Sequence, residues 1–147
     1  MIDRKYIGQA WPPYTVEVEK GRLRFFAKAI GEKNPVYTDE AAAHAAAYRS
    51  LPVPPTFLFS LENEVPDPFG WLTAMGVDLG KVLHGEQSFI YHATICAGDT
   101  VTIAPRIVDI YEKKNGALEF VVKETRVTDA SGGLVAELRC VLVVRNG

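Results

Sequence analysis

Apolar and polar positions along this chain change period near its middle. Residues 14–18 alternate, which predicts one strand. In residues 19–30, Leu23, Phe26, Ala27 and Ile30 follow the i, i+3, i+4, i+7 pattern while Arg22, Arg24 and Lys28 face elsewhere. That spacing predicts an amphipathic helix, ended by Gly31. Thr38 is placed to cap a second helix, with Asp39 and Glu40 opposing the dipole in its first turn. Its body, residues 41–48, is nearly all alanine, so it is thin and can approach its neighbours closely. Pro52, Pro54 and Pro55 open a third helix at residues 56–64, where proline suits the first turn. Phe57, Leu58, Phe59 and Leu61 make this helix apolar around most of its circumference, the pattern of a helix buried on several sides. Pro66 and Pro68 close it. Residues 69–80 read as loop with one helical turn around residues 71–75.

Beyond that point the period becomes two. Strands are predicted at residues 86–95, 100–111, 117–128 and 134–145, with Asn115-Gly116 and Ser131-Gly132-Gly133 as hairpin turns. In the last strand Leu134, Ala136, Leu138, Cys140, Leu142 and Val144 share one face. Eight of the nine prolines lie between Pro12 and Pro68, so the front half is broken into short elements and the back half is free to run as a meander. The expected architecture is α+β: one domain over residues 1–147, an antiparallel sheet wrapped around a buried central helix. A single sheet around a single helix leaves its edges uncovered, which predicts a dimer or a partner chain.

Composition narrows the function. The chain has 147 residues, 48% hydrophobic and 23% charged, with a formal net charge of −2. A chain of that size buries roughly 70% of the surface its unfolded form exposes. It has too much apolar material for disorder and no basic excess for nucleic acid. No apolar run approaches the length of a membrane span, and Met1-Ile2-Asp3-Arg4-Lys5 does not open a signal peptide. The expected location is the cytoplasm.

Most candidate chemistry falls away on spacing. Gly76-Val77-Asp78-Leu79-Gly80-Lys81-Val82 has its glycines one residue too close for a phosphate loop and lacks the hydroxyl after lysine. Neither Gly-x-Gly-x-x-Gly nor Gly-x-Ser-x-Gly occurs. Cys96 and Cys140 read as small buried hydrophobes in strands. His44, His84 and His92 lack ligand spacing, so no metal and no cofactor are expected. His44 reads as a surface residue and His92 as a structural strand residue. His84 differs, because Leu83-His84-Gly85-Glu86-Gln87 joins a titratable ring, a glycine and polar side chains at a strand start.

The stretch Gly31-Glu32-Lys33-Asn34-Pro35-Val36-Tyr37-Thr38-Asp39-Glu40-Ala41-Ala42, followed by Pro54-Pro55-Thr56-Phe57, Glu86-Gln87 and Ala97-Gly98-Asp99-Thr100, resembles the MaoC-like dehydratases. It is closest to the FAS1-like N-terminal dehydratase domain and to substrate-binding subunits of (3R)-hydroxyacyl-thioester dehydratases. The resemblance implies a single hot-dog fold and a hydro-lyase acting on the 2,3 bond of a coenzyme A or acyl-carrier-protein thioester. In active members an aspartate and a histidine five positions later activate water. Glu32 and Tyr37 stand at those positions here. A phenol with a pKa near 10 donates a hydrogen bond but is no base at neutrality. The resemblance therefore implies a subunit that shapes the acyl pocket through Asn34, Pro55, Thr56, Phe57, Leu58, Trp71, Gly85 and Gln87, with the Asp/His pair supplied by a second hot-dog chain. Two alternatives are a self-sufficient homodimer using His84 with a carboxylate, and a non-catalytic acyl-coenzyme A-binding module.

Overall fold

The computed structural model describes residues 1–146. Its strands are β1 (Tyr14–Glu17), β2 (Val82–Tyr91), β3 (Thr100–Lys113), β4 (Leu118–Thr128) and β5 (Leu134–Arg145); its helices are α1 (Lys20–Ala29), α2 (Glu40–Ala45), α3 (Leu58–Leu61) and α4 (Gly70–Ala74). The strands form one antiparallel sheet in the order β1-β3-β4-β5-β2, giving the α+β hot-dog architecture with α3 against the sheet.

The order corrects the expected four-strand meander. β3, β4 and β5 are joined by hairpins, but β2 pairs with β5 and β1 takes the place beside β3. No tight turn follows β2. The chain instead leaves the sheet to bridge Pro52 with Cys96, Val53 N–H donating to Ile95 and Ala97 N–H to Leu51. Cys96 is thus buried in this connection, outside the named strands. β2 also begins four residues earlier than its pattern suggested, because the sheet absorbs Gly85 as a register shift between His84 and Glu86.

Helix ends differ for local reasons. α1 stops at Ala29, so Ile30 leaves the buried stripe and is exposed. Gly31, at φ +73°, supplies the left-handed residue that closes it, and Glu32 N–H reaches back to Ala27. Asp39 rather than Thr38 caps α2, its carboxylate accepting Ala41 N–H at 2.9 Å. α2 ends at Ala45, three residues short of the expected end, with Ala47 turning left-handed at φ +64°. α3 has four residues where nine were expected: prolines crowd both flanks, and turns such as Phe57 N–H to Pro54 and Asn63 N–H to Ser60 replace further helix.

Two apolar clusters fill the sheet's inner face. One joins Phe57, Leu58 and Leu61 to Val18, Leu23, Ile103, Val127, Ala136 and Leu138. The other joins Leu72, Met75 and Val77 to Ile107, Val121, Cys140 and Leu142. Leu58 and Leu61 are fully buried, each stabilising the fold by about 1.5–3 kcal/mol. Among the described residues, no helix is long and apolar enough to cross a membrane.

Candidate functional site

The motif segment builds its own turn. Glu32 Oε1 accepts the backbone N–H of Lys33 and of Asn34, both at 2.8 Å. Asn34 Oδ1 accepts Val36 N–H at 3.2 Å, and Pro35 starts a 3-10 turn ending at Tyr37. The Glu32 carboxylate is therefore engaged in closing a loop.

That turn places Tyr37 on a cavity of about 360 Å³, together with Tyr48, Pro55, Tyr91 and His92. Tyr48 gets there because Ala47 turns left-handed and Tyr48 N–H then bonds Ala43. The Tyr91 hydroxyl donates to the Pro55 carbonyl. Burial pushes the Tyr91 phenol up to about 12, with a contribution from Tyr37. The Tyr37 phenol is likewise raised, first by burial and then by the neighbouring Glu32 charge and Tyr48. Both stay protonated at neutral pH; Tyr91 spends its proton on Pro55, whereas Tyr37 can donate to a carbonyl or oxyanion. His92 sits on the rim with Nε2 2.8 Å from Glu137 Oε2, its side chain 40% exposed.

The residues expected to line one acyl pocket divide among several places. Tyr37 and Pro55 share this cavity. Thr56 is exposed beside it, whereas Phe57 and Leu58 lie in the core beneath. Trp71 lines a different cavity. His84, Gly85 and Gln87 cluster on β2: the His84 ring lies 5.1 Å from that of Phe59, and its Nε2 is 3.1 Å from Gln87 Oε1. Gln87 Nε2 is buried with no partner among the described residues. Glu32, Asn34 and His84 do not line the Tyr37 cavity.

Tyr48, Tyr91 and His92 were missed as site residues. Alternation along β2 pairs Phe89 with Tyr91 on one face, rings 6.3 Å apart, and that was the available signal. What faced them from the front half was not readable. Among the described residues, no three His, Cys, Asp or Glu side chains gather as a metal site.

Comparisons with known proteins bear on the family and the fold. Residues 5–138 match the family model described as "FAS1-like, dehydratase domain region". A UPF0336 protein of Streptomyces avermitilis is 34% identical over 145 residues, covering 98% of this chain and 95% of the relative. The truncated HadBC (3R-hydroxyacyl-ACP dehydratase) complex of Mycobacterium tuberculosis contains a chain that superposes with a TM-score of 0.81 at 27% identity, covering 94% of this chain and 96% of that one. The ChsH1-ChsH2 complex of Mycobacterium tuberculosis shares the fold, with a TM-score of 0.73 at 24% identity, covering 92% of this chain and 88% of that one.

Proposed function

This chain belongs to the family of FAS1-like dehydratase domain regions, and from that premise we propose that it is one hot-dog subunit of a two-chain (R)-specific enoyl-thioester hydratase or 3-hydroxyacyl-thioester dehydratase. The reaction adds water across the 2,3 bond of an enoyl thioester, or removes it from the 3-hydroxy form. This chain shapes the acyl side of the site, and the water-activating Asp/His pair comes from the partner. The observation that carries the reading is the state of the motif: Glu32 is engaged with two backbone amides, and the Tyr37 phenol is held protonated. The phenol is no base at neutral pH, and Glu32 Oε1 is spent on holding the turn away from the Tyr37 cavity. Tyr37 acts as a donor near the thioester carbonyl, while Tyr91, its own proton given to Pro55, fixes the wall beside it. The two-chain dehydratase complex among the similar structures supports the assignment of a partner.

The experiment is hydration of crotonyl-coenzyme A, followed by loss of enoyl absorbance. Purified alone, the chain is expected to show no turnover. Co-expressed with a hot-dog chain carrying Asp and His at these motif positions, it turns over at about 1–1,000 per second. That activity disappears on replacing the partner's histidine and survives Glu32→Gln in this chain within about twofold. An ordinary rate from the chain alone overturns the proposal. It would favour a second reading, in which the His92–Glu137 pair on the cavity rim is the acid–base device; His92→Gln then abolishes turnover.

A further inference from the structure

At the seam between the two apolar clusters, a second cavity of about 380 Å³ opens beside α4 and shares no wall with the one at Tyr37. Trp11, Trp71 and Tyr14 form its aromatic sides, with Trp11 and Trp71 centroids 5.3 Å apart and tilted 60°. Glu62 reaches it from the end of α3. The Glu62 side chain is 2% exposed, and its oxygens are unequally served. Oε1 accepts the Thr125 hydroxyl and the Lys123 ammonium, the latter at 3.3 Å. Oε2 is buried and finds no donor among the described residues.

A buried carboxylate oxygen without a donor carries the full cost of its lost hydration. Two of its neighbours are spent elsewhere. The Tyr14 hydroxyl is already committed to the Glu62 backbone carbonyl at 2.7 Å. The Trp71 indole N–H donates to Pro68 at 3.1 Å. Lys123 lies over the Trp71 ring, 5.6 Å from its centroid. The cavity thus combines stacking surface, a volume within the usual range for small-molecule sites, and one vacant acceptor. Lys123 balances Glu62, while Asp67 on the rim adds negative charge. An anionic head is disfavoured; a donating head is not.

We propose that this cavity binds a small molecule with an apolar, ring-sized body that packs against the Trp11–Trp71 pair and a hydrogen-bond-donating head, an alcohol or ammonium, that completes Glu62 Oε2. The site stands apart from the thioester chemistry, so either assignment can fail alone.

Trp11 and Trp71 are the chain's two tryptophans, so intrinsic fluorescence reports on this cavity directly. The full chain is titrated with 2-phenylethylamine, 2-phenylethanol and 3-phenylpropionate, which share a body and differ in the head. Saturable changes are expected with the amine or the alcohol, at least tenfold tighter than with the carboxylate; which of the two binds tighter identifies the head. Ala74→Leu, on the exposed side of the wall, should weaken the tighter probe at least tenfold. Glu62→Gln should bring the three probes to within about threefold of one another. The proposal is overturned if the carboxylate binds as tightly as the others, if no probe gives a saturable change, or if Ala74→Leu leaves binding unaltered. Ala74→Leu decides the matter even if Glu62→Gln does not fold.

Discussion

The two edges of the sheet are treated in opposite ways. β1 is four residues long and follows Pro12-Pro13. Ahead of it the N-terminal segment continues along β3: Gly8 N–H donates to Ile107, Ile107 N–H to Gln9 and Trp11 N–H to Pro105. Short strand, proline and an overlying strap are the devices by which edges are protected from pairing. β2 has ten residues and no proline, no strand covers its outer edge among the described residues, and it exposes Leu83 (51%), Ile90 (57%) and Tyr91. A fold that seals one edge and leaves the other open and apolar directs association to one side. Tyr91 stands on that open strand and also lines the Tyr37 cavity, so a chain docking there would adjoin the proposed thioester site.

The largest effect is expected from charging the open edge. Leu83→Lys with Ile90→Lys should weaken association with the second hot-dog chain by about a hundredfold, roughly 3 kcal/mol. Sedimentation would measure it, and the unfolding free energy of the isolated chain should stay within about 0.5 kcal/mol because both side chains are exposed. Unchanged association would remove β2 as the docking edge. The next effect concerns the bulge that aligns this edge. A Cβ on Gly85 would meet Val143 Cγ2 at 2.8 Å and the Val141 carbonyl oxygen at 3.0 Å. Gly85→Ala should therefore cost about 1–3 kcal/mol in urea unfolding, since backbone must move. A neutral result would show that β2 tolerates a shift, and the contrast between the edges would weaken.

The smallest effect belongs to the sealed side. Asp99 joins β1 to β3: its backbone bonds Val18, and its carboxylate accepts Cys96 N–H and pairs with Arg49. Burial raises the carboxyl's pKa, but the Arg49 and Cys96 bonds outweigh it, and the net pKa is lowered. The unfolded chain then takes up the proton first as pH falls. The stabilisation is complete above the unfolded value near 3.8 and is lost as pH drops through the lower folded value. Asp99→Asn should cost about 1 kcal/mol or less at pH 7 and flatten the acid limb of the stability curve. An unchanged acid limb would assign that limb to other carboxylates.

Much of this organisation was legible from the residues. α1, β3, β4, β5 and both hairpins follow from periods of 3.6 and 2 with glycine turns between them, because each is decided by neighbours in sequence. β5 shows the same logic, with Ala136, Leu138, Cys140, Leu142 and Val144 all buried, although Leu134 is only half-buried and Val135 and Val141 are buried as well. The position of β2 was not legible, because a glycine inside a strand reads as a break and only a facing strand reveals a bulge. Helix α3 was overextended, because apolar residues after a proline cluster look helical whether they form one turn or three. Tyr37 was singled out by its motif, and the fold brings it to Tyr48, Tyr91 and His92 through contacts no local pattern encodes. Glu62 carries no signal of its own, since a glutamate at the end of an apolar stretch reads as a solvated terminus.

The strap over β3 also constrains how the molecule assembles. β3, β4 and β5 meet through hairpins and can zip as they emerge, whereas Tyr14 must find Ile103, and Val82 must find Val144. Pairings between distant segments form late, because loop closure has to be met before they contribute. During synthesis the N-terminal segment has no partner until β3 has left the ribosome, and β2 has none until the final strand is complete. The segment ahead of β1 is thus made before β3 but fixed after it, and both margins of the future sheet wait for their neighbours.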